Sequence, residues 1–338
     1  MVDILILLDI VLLMIKKNKI KTIIVGLGKI GMGYDYYHNS KKYILSHAQA
    51  IYSSNNYELV CGVDNDPKKI FLFKNKFNVE AFTSINQALK KYKVDLVIIS
   101  TPTKTHATMI SLLIEKSNIK YILCEKPLSY NYDQVKNILN KIKRKRIKIF
   151  VNYYRYFEPS SIKLANLINS NKLGESLRIS IWYSKGLYNN CSHFINYLSL
   201  FMGKVKNIKI ISKGNINKRL DPEPDFVITY ENGIAYFLST SEKKFFHNHM
   251  QIIGTKGMVH YINGGDKIEY WKFKNSKKLI GNKTLVSYST TISKEMNFYQ
   301  YYVYKEVKKI IHKENSNKYN FESALKTLSI LDKIKKLL

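Results

Sequence analysis

Cysteine, proline and arginine are all scarce in this chain. The three cysteines, Cys61, Cys124 and Cys191, are odd in number, far apart and without metal-site spacing, which excludes a disulfide framework and fits a reducing cytoplasm. Six prolines and fifteen glycines exclude collagen-like and Pro/Gly-rich disordered chains. Only five of the 55 basic residues are arginine, and the lysines are spread through every segment. A formal net charge of +30 would suit a phosphate-rich partner, but readers of phosphates and bases favour arginine. The charge therefore reads as a solvated lysine surface, with no nucleic-acid partner. Its densest run, 141–148 (KIKRKRIK), ends an amphipathic helix, where cations suit the macrodipole.

A long apolar run is lacking too. Residues 1–15 are apolar, but Asp3 and Asp9 interrupt them, and the stretch is shorter than the roughly 20 residues a spanning helix needs. Residues 1–19 read as a short amphipathic extension, with no stable membrane insertion.

What remains is a globular composition, 45% hydrophobic over 338 residues, long enough for two cores. The first organising stretch is 21–33, KTIIVGLGKIGMG. Ile23, Ile24, Val25 and Leu27 give a buried parallel strand that runs into Gly26-Leu27-Gly28-Lys29-Ile30-Gly31. Gly26 allows a tight turn, Gly28 lets backbone N–H groups approach a pyrophosphate, and Gly31 lets the next helix pack against the strand. Tyr34 to Lys42 is polar and aromatic and reads as an inserted loop, so the pyrophosphate would face only a short helical turn at Lys29 to Met32, and the loop could reach a substrate cleft. A second strand, Tyr57 to Val63, ends at Asp64, where a carboxylate would hold a ribose 2′-hydroxyl and favour NAD over NADP. Asp64 stands 33 residues after Gly31, instead of about 20, because of the inserted loop.

Strand and helix then alternate through residue 152, which predicts a doubly wound parallel sheet with its ligand at the carboxyl ends of the strands. Gly26, Asp64, Thr101-Pro102 and Lys126 all follow such ends. From Arg155 on, strands come in series: Ser176 to Tyr183, Val205 to Ser212, Asp225 to Tyr230, Ile234 to Ser241, His247 to Ile253 and Met258 to Ile262. These predict an α+β domain with a mixed or antiparallel sheet, closed by helices over 298–312 and 322–338. The domains are thus 1–19 (extension), 20–152 (dinucleotide-binding) and 153–338 (substrate binding and oligomerisation). The pair His247 and His249 lies on one strand face without a carboxylate or thiol to complete a metal set, so no metal is expected.

Taken together, Gly26 to Gly31, Val63-Asp64, Thr101 to His106, Glu125-Lys126-Pro127 and 189–203 (NNCSHFINYLSLFMG) resemble the Gfo/Idh/MocA oxidoreductases over nearly the whole chain after Lys19. The resemblance implies a Rossmann domain joined to an open-faced sheet domain, with hydride passing between a nicotinamide and a sugar, sugar-nucleotide or cyclitol carbon. It implies Lys126 near the nicotinamide and the reacting hydroxyl, and His193 as acid/base, an imidazole being near its pKa at working pH. The cofactor residues so implied are Gly26, Gly28, Lys29, Ile30, Gly31, Asp64, Thr101, Pro102, His106 and Glu125; Asn152, Arg155, Lys185 and Asn189 are substrate candidates. His106 reads equally as a cap of its own helix.

Two positions depart from the family pattern: the aspartates that many members carry four before and three after the histidine are Asn189 and Asn196 here. An amide is neither a general base nor a charge that raises an imidazole pKa. This turns the resemblance away from cyclitol dehydrogenases and toward nucleotide-sugar enzymes of surface-polysaccharide pathways, which Ser184-Lys185-Gly186 and Asn189-Asn190 also resemble. An NAD-dependent glycosidase of the family and a non-catalytic nucleotide sensor or scaffold stay open as alternatives. A homodimer or homotetramer is expected from the exposed sheet face.

Overall fold

The computed structural model describes residues 19–38, 42–116, 118–214, 221–240, 247–286, 290–292, 295–314 and 320–338. The expected extension lies outside the described residues except for Lys19, as do 39–41 of the inserted loop and Ser241. The chain packs as two units: Met1–Glu125 with Lys136–Asn152 and Val303–Tyr319, and Lys126–Val135 with Tyr153–Tyr302 and Asn320–Leu338.

The first unit is built on six parallel strands: β1 (Ile20–Val25), β2 (Tyr57–Val63), β3 (Glu80–Phe82), β4 (Leu96–Ile99), β5 (Tyr121–Cys124) and β6 (Lys148–Val151). Their order is β3-β2-β1-β4-β5-β6. The middle strands are continuous apolar runs because helices cover both faces; Ile23, Ile24 and all of β4 are fully buried. Each such aliphatic side chain contributes about 1.5–3 kcal/mol by leaving water. The intervening helices are α1 (His47–Tyr52), α2 (Pro67–Phe77), α3 (Ile85–Lys91), α4 (His106–Lys116) and α5 (Tyr132–Arg144). Their ends follow local chemistry. Ser46 caps α1 by accepting from the Gln49 N–H at 3.3 Å, and Asp66 caps α2 at the Lys68 N–H at 2.9 Å. Pro67 sits in the first turn of α2, and Asn78 ends that helix in the left-handed region at φ 52°.

The second unit carries α6 (Pro159–Asn169), β7 (Leu177–Tyr183), α7 (Ser192–Leu198), β8 (Val205–Ser212), β9 (Asp225–Tyr230), β10 (Gly233–Ser239), β11 (His249–Ile253), β12 (Gly257–Ile262), β13 (Lys267–Asn275), β14 (Lys283–Leu285) and β15 (Thr290–Thr291). Helices α8 (Tyr299–Ile311) and α9 (Phe321–Leu337) close the chain. The sheet order is β14-β13-β12-β11-β7-β10-β9-β8, with β15 on β13. Among the described residues β7 and β10 pair in parallel and the other neighbours antiparallel, so the sheet is mixed. Alternation sets its faces. Ile179, Ile181, Ile252, Val259 and Tyr261 are buried, whereas Trp182 and Tyr236 point outward and are 43% and 40% exposed. The Tyr197 hydroxyl of α7 donates to the Ser161 carbonyl of α6 at 2.7 Å, and its ring meets Tyr261 at 6.0 Å.

Strands β13 to β15 extend the sheet beyond the predicted limit at Ile262, and β11 begins at His249 where His247 was expected. All three cysteines are buried and free, and burial pushes the Cys61 thiol up to about 12. Among the described residues no helix is long and apolar enough to cross a membrane.

Candidate active site

The strand ends of the first unit gather the predicted cofactor residues. The ladder runs past the strands: the Gly26 N–H donates to Val63 O, Ser100 N–H to Val25 O, Glu125 N–H to Ile99 O and Asn152 N–H to Cys124 O, each at 2.8 Å. Gly26 has φ +99°, and a Cβ there would lie 2.6 Å from the Ser100 carbonyl. A Cβ on Gly31 would lie 2.1 Å from the Gly26 carbonyl oxygen, so this residue must be glycine for the turn to close. Gly28 is different: it has φ −78°, and a Cβ there would meet nothing within 4 Å. Among the described residues nothing fills the space beside Gly28, which is the cradle that a pyrophosphate needs, and the residues fit a dinucleotide.

Lys29 to Gly33 form a single wide turn, in which the Gly33 N–H reaches Gly28 O at 3.1 Å and the Tyr34 N–H reaches Lys29 O at 2.8 Å. The expectation of a short turn in place of a long helix holds. The loop after it is tied down within its own unit. Asp35 is buried and accepts from the Leu45 and Ser46 N–H groups at 2.7 and 2.9 Å, and the Tyr36 hydroxyl donates to Leu72 O at 3.0 Å. The Lys76 ammonium also bonds the Tyr36 carbonyl, so the described part of the loop lies against α2.

Asp64 faces the glycine turn. Its carboxylate accepts from the Leu27 N–H at 2.7 Å and the Asp66 N–H at 3.0 Å, with Lys69 at 3.6 Å. The His106 ring bonds Thr101 O at 2.8 Å, tying the start of α4 to the strand end, and Thr101 Oγ1 accepts from Thr105 at 2.8 Å. Pro102 precedes the short turn Thr103–Thr105 that leads into α4.

Glu125 belongs to a buried polar chain that sequence reasoning missed. The His47 Nε2 lies 2.9 Å and the Asn152 amide nitrogen 2.5 Å from Glu125 Oε1, and the other His47 ring nitrogen meets the Tyr304 hydroxyl at 2.8 Å. No local spacing in the sequence marks His47 or Tyr304 as a partner of this polar chain.

In the second unit, Lys126 and His193 stand in a common environment. The Lys126 ammonium donates to the Asn189 backbone oxygen at 2.7 Å and to its side-chain oxygen at 2.8 Å. Asn189 lies on a second wide turn, Leu187–Cys191, which leads into α7 much as the first follows β1; here the Cys191 N–H reaches Gly186 O at 3.1 Å. Such wide turns recur at functional sites. His193 is 6% exposed, and its Nδ1 has no hydrogen-bond partner among the described residues. Tyr154 and Tyr153 flank the ring at centroid distances of 4.7 and 5.5 Å. Burial, with the charges of Lys126 and Arg155 adding, holds the imidazole well below the usual histidine range. The expectation of an imidazole near its ordinary pKa is therefore corrected: this one is neutral at neutral pH.

Arg155 is buried, and its guanidinium donates to the Tyr261 hydroxyl at 2.8 Å and Gly264 O at 2.7 Å. These bonds hold the short turn Tyr154–Tyr156, which precedes α6, to β12 and the turn after it. Lys185 adopts the left-handed region at φ 64°, two residues after β7. The two family departures separate here. Asn189 holds Lys126, whereas Asn196 is buried and donates to Ser323 Oγ at 2.9 Å and Thr327 Oγ1 at 3.0 Å, joining α7 to α9. His247 and His249 stack at 4.1 Å.

Residues 20–153 match the model of an oxidoreductase family with an NAD-binding Rossmann fold, the Gfo/Idh/MocA family. The chain is 24% identical over 264 residues to an uncharacterized oxidoreductase, YrbE, of Bacillus subtilis, covering 71% of this chain and 73% of that protein. It is 27% identical over 135 residues to inositol 2-dehydrogenase of Rhizobium meliloti, covering 40% of each. Among solved structures, the WlbA dehydrogenase of Bordetella pertussis in complex with NADH and UDP-GlcNAcA superposes with a TM-score of 0.74 at 16% identity, covering 94% of this chain and 95% of that one. UDP-N-acetylglucosamine 3-dehydrogenase GnnA of Acidithiobacillus ferrooxidans gives 0.71 at 12% identity, over 95% and 98%. At these identities the likeness is one of fold.

Proposed function

We propose that this chain, whose residues 20–153 match the Gfo/Idh/MocA oxidoreductase family with its NAD-binding Rossmann fold, transfers hydride between NAD(H) and a secondary alcohol or ketone carbon of a sugar or nucleotide-sugar. NAD, when bound, supplies the hydride acceptor. Gly26, Gly28 and Gly31 would cradle its pyrophosphate, and Asp64 its adenosine ribose, a carboxylate that disfavours the 2′-phosphate of NADP.

The observation that carries the reading is the pairing of a cation with a neutral imidazole. Lys126 follows Glu125 by one peptide bond and is held on Asn189, and its charge helps keep His193 unprotonated. Alcohol oxidation needs such a set: the neutral His193 takes the hydroxyl proton, and the Lys126 ammonium offsets the alkoxide charge as it develops. In ketone reduction the same two groups run in reverse. Asn152, Arg155, Lys185 and Asn189 are the substrate-side candidates.

The nucleotide-sugar class is supported by the departures at Asn189 and Asn196 and by the nucleotide-sugars named for two structural neighbours; a role in surface-polysaccharide synthesis is part of the same proposal. Buried free cysteines suit a cytoplasmic setting. The outward sheet face, with Trp182 and Tyr236, suits a second copy of the chain, giving a homodimer or homotetramer that light scattering would detect. The test is Lys126→Ala: turnover of a UDP-sugar panel should vanish while NADH affinity stays within a few-fold. Wild-type turnover in the variant would remove Lys126 from the mechanism.

A further inference from the structure

Asp221 lies outside every motif that the sequence offers, 32 residues after Asn189. Its carboxylate accepts from the Tyr188 N–H at 2.7 Å and the Asn189 N–H at 3.2 Å. Those two groups belong to the wide turn that presents Asn189 to Lys126. The fit is close on the other side too: a Cβ on Gly186 would lie 2.1 Å from Asp221 Oδ2, and Gly186 adopts φ +103°, so this residue leaves room for the carboxylate.

We infer that Asp221 is a positioning residue of the proposed site: it fixes the 187–191 turn so that both oxygens of Asn189 meet the Lys126 ammonium, and it supplies the negative charge that position 189 lacks. The amide at 189 orients the lysine without neutralising it. The carboxylate at 221 provides the charge from behind that amide, through the Asn189 peptide. The groups that face Asp221 electrically agree with this. Lys126 favours its anion, Glu223 opposes it, and the carboxylate in turn raises the Tyr183, Tyr188 and Cys191 groups around it. Burial pushes the Asp221 carboxyl up to about 6, against the bonds from Tyr188 and Asn189 and the Lys126 charge. The group is therefore ionised at neutral pH and gains its proton in mild acid.

This inference rests on the reading of Lys126 as a site residue, but its test does not use turnover. The intact protein is labelled at neutral pH with a trace of acetic anhydride, and acetylation of each lysine is read by mass spectrometry, since only the uncharged amine reacts. In Asp221→Asn the anion is gone, Lys126 loses its proton more readily, and its labelling rises about threefold or more, half a pKa unit. Lys91, paired with Glu80, is the internal standard and does not change. Asp221→Asn keeps an acceptor oxygen for the Tyr188 N–H and so still holds the turn, and a purely structural role would leave Lys126 labelling near its wild-type value. Unchanged labelling of Lys126 in a variant that melts cooperatively overturns the inference. If Asp221→Asn alone does not fold, the comparison is made on the Asn189→Asp background, where a carboxylate stays in the turn. Removing Asp221 there must again raise Lys126 labelling, and indifference overturns the inference equally. Failure of the hydride-transfer reading would show separately, as undiminished turnover in Lys126→Ala.

Discussion

The Lys126 ammonium is gripped by both oxygens of a single residue, Asn189, at 2.7 Å from the backbone and 2.8 Å from the side chain. The amide thus sets where the cation points. Asn189→Ala removes the second bond and keeps the first. A hydrogen bond to a charged group contributes about 1.5–3 kcal/mol, so kcat should fall about tenfold or more. Asn189→Asp keeps the acceptor oxygen and should lose much less. Steady-state kinetics on the two variants check the order.

The glycine turn predicts opposite behaviour for two alanine substitutions. Gly28→Ala adds a methyl group that meets no atom of the described residues within 4 Å at an ordinary φ of −78°, so the melting temperature should hold while NADH affinity falls about tenfold or more. Gly31→Ala drives a Cβ to 2.1 Å from the Gly26 carbonyl oxygen, so it should lower both. Calorimetric melts with and without NADH distinguish the two.

His193 sets the acid limb of activity. Its folded-state pKa is lowered by burial, Lys126 and Arg155, so the imidazole stays neutral down to below the ordinary value of about 6.5. The acid limb of kcat/KM for alcohol oxidation should therefore lie below that value, and His193→Asn should cost about 10²–10⁴ in kcat. Stability follows with a definite sign. On acidification through about 6.5 the unfolded chain takes up this proton before the folded one does, so His193 contributes a loss of stability as pH falls. Asp221 acts in the other direction. Its folded pKa of about 6 exceeds the unfolded value of about 3.9, so its contribution falls as pH rises through that window. His193→Asn should flatten the acid loss in a melting series, and Asp221→Asn should steepen it.

The buried chain from Tyr304 through His47 and Glu125 to Asn152 is a stability element beside the strand ends. His47→Phe removes its middle and should cost about 1–3 kcal/mol, a drop of several degrees in melting temperature. Chemical denaturation checks the size.

What could be read in advance follows physical range. Strands β1, β2, β4 and β5 were legible because strands buried on both faces must be continuous apolar runs, and their ends point to Gly26, Asp64, Thr101 and Glu125 without knowledge of any contact. Strand β13 was missed because its alternation fails after Tyr270: Lys272 and Lys274 fall on the face that Ile268 and Tyr270 bury. Asp221 and His47 were missed for a different reason. Each acts on a partner tens of residues away, and no local period or spacing encodes such a meeting. Asn189 and Asn196 looked alike as departures from one motif, yet helix geometry sends the second to Ser323 and Thr327 and leaves the first on Lys126.

The most direct measurement is nicotinamide absorbance in single turnover, with NAD or NADH and a panel of UDP-sugars and their keto forms, for wild type and Lys126→Ala side by side. The predicted result is hydride transfer with at least one nucleotide-sugar in the wild type, lost in Lys126→Ala while NADH still binds. Tight NADH binding without transfer to any member of the panel, or equal transfer by both proteins, would contradict the account.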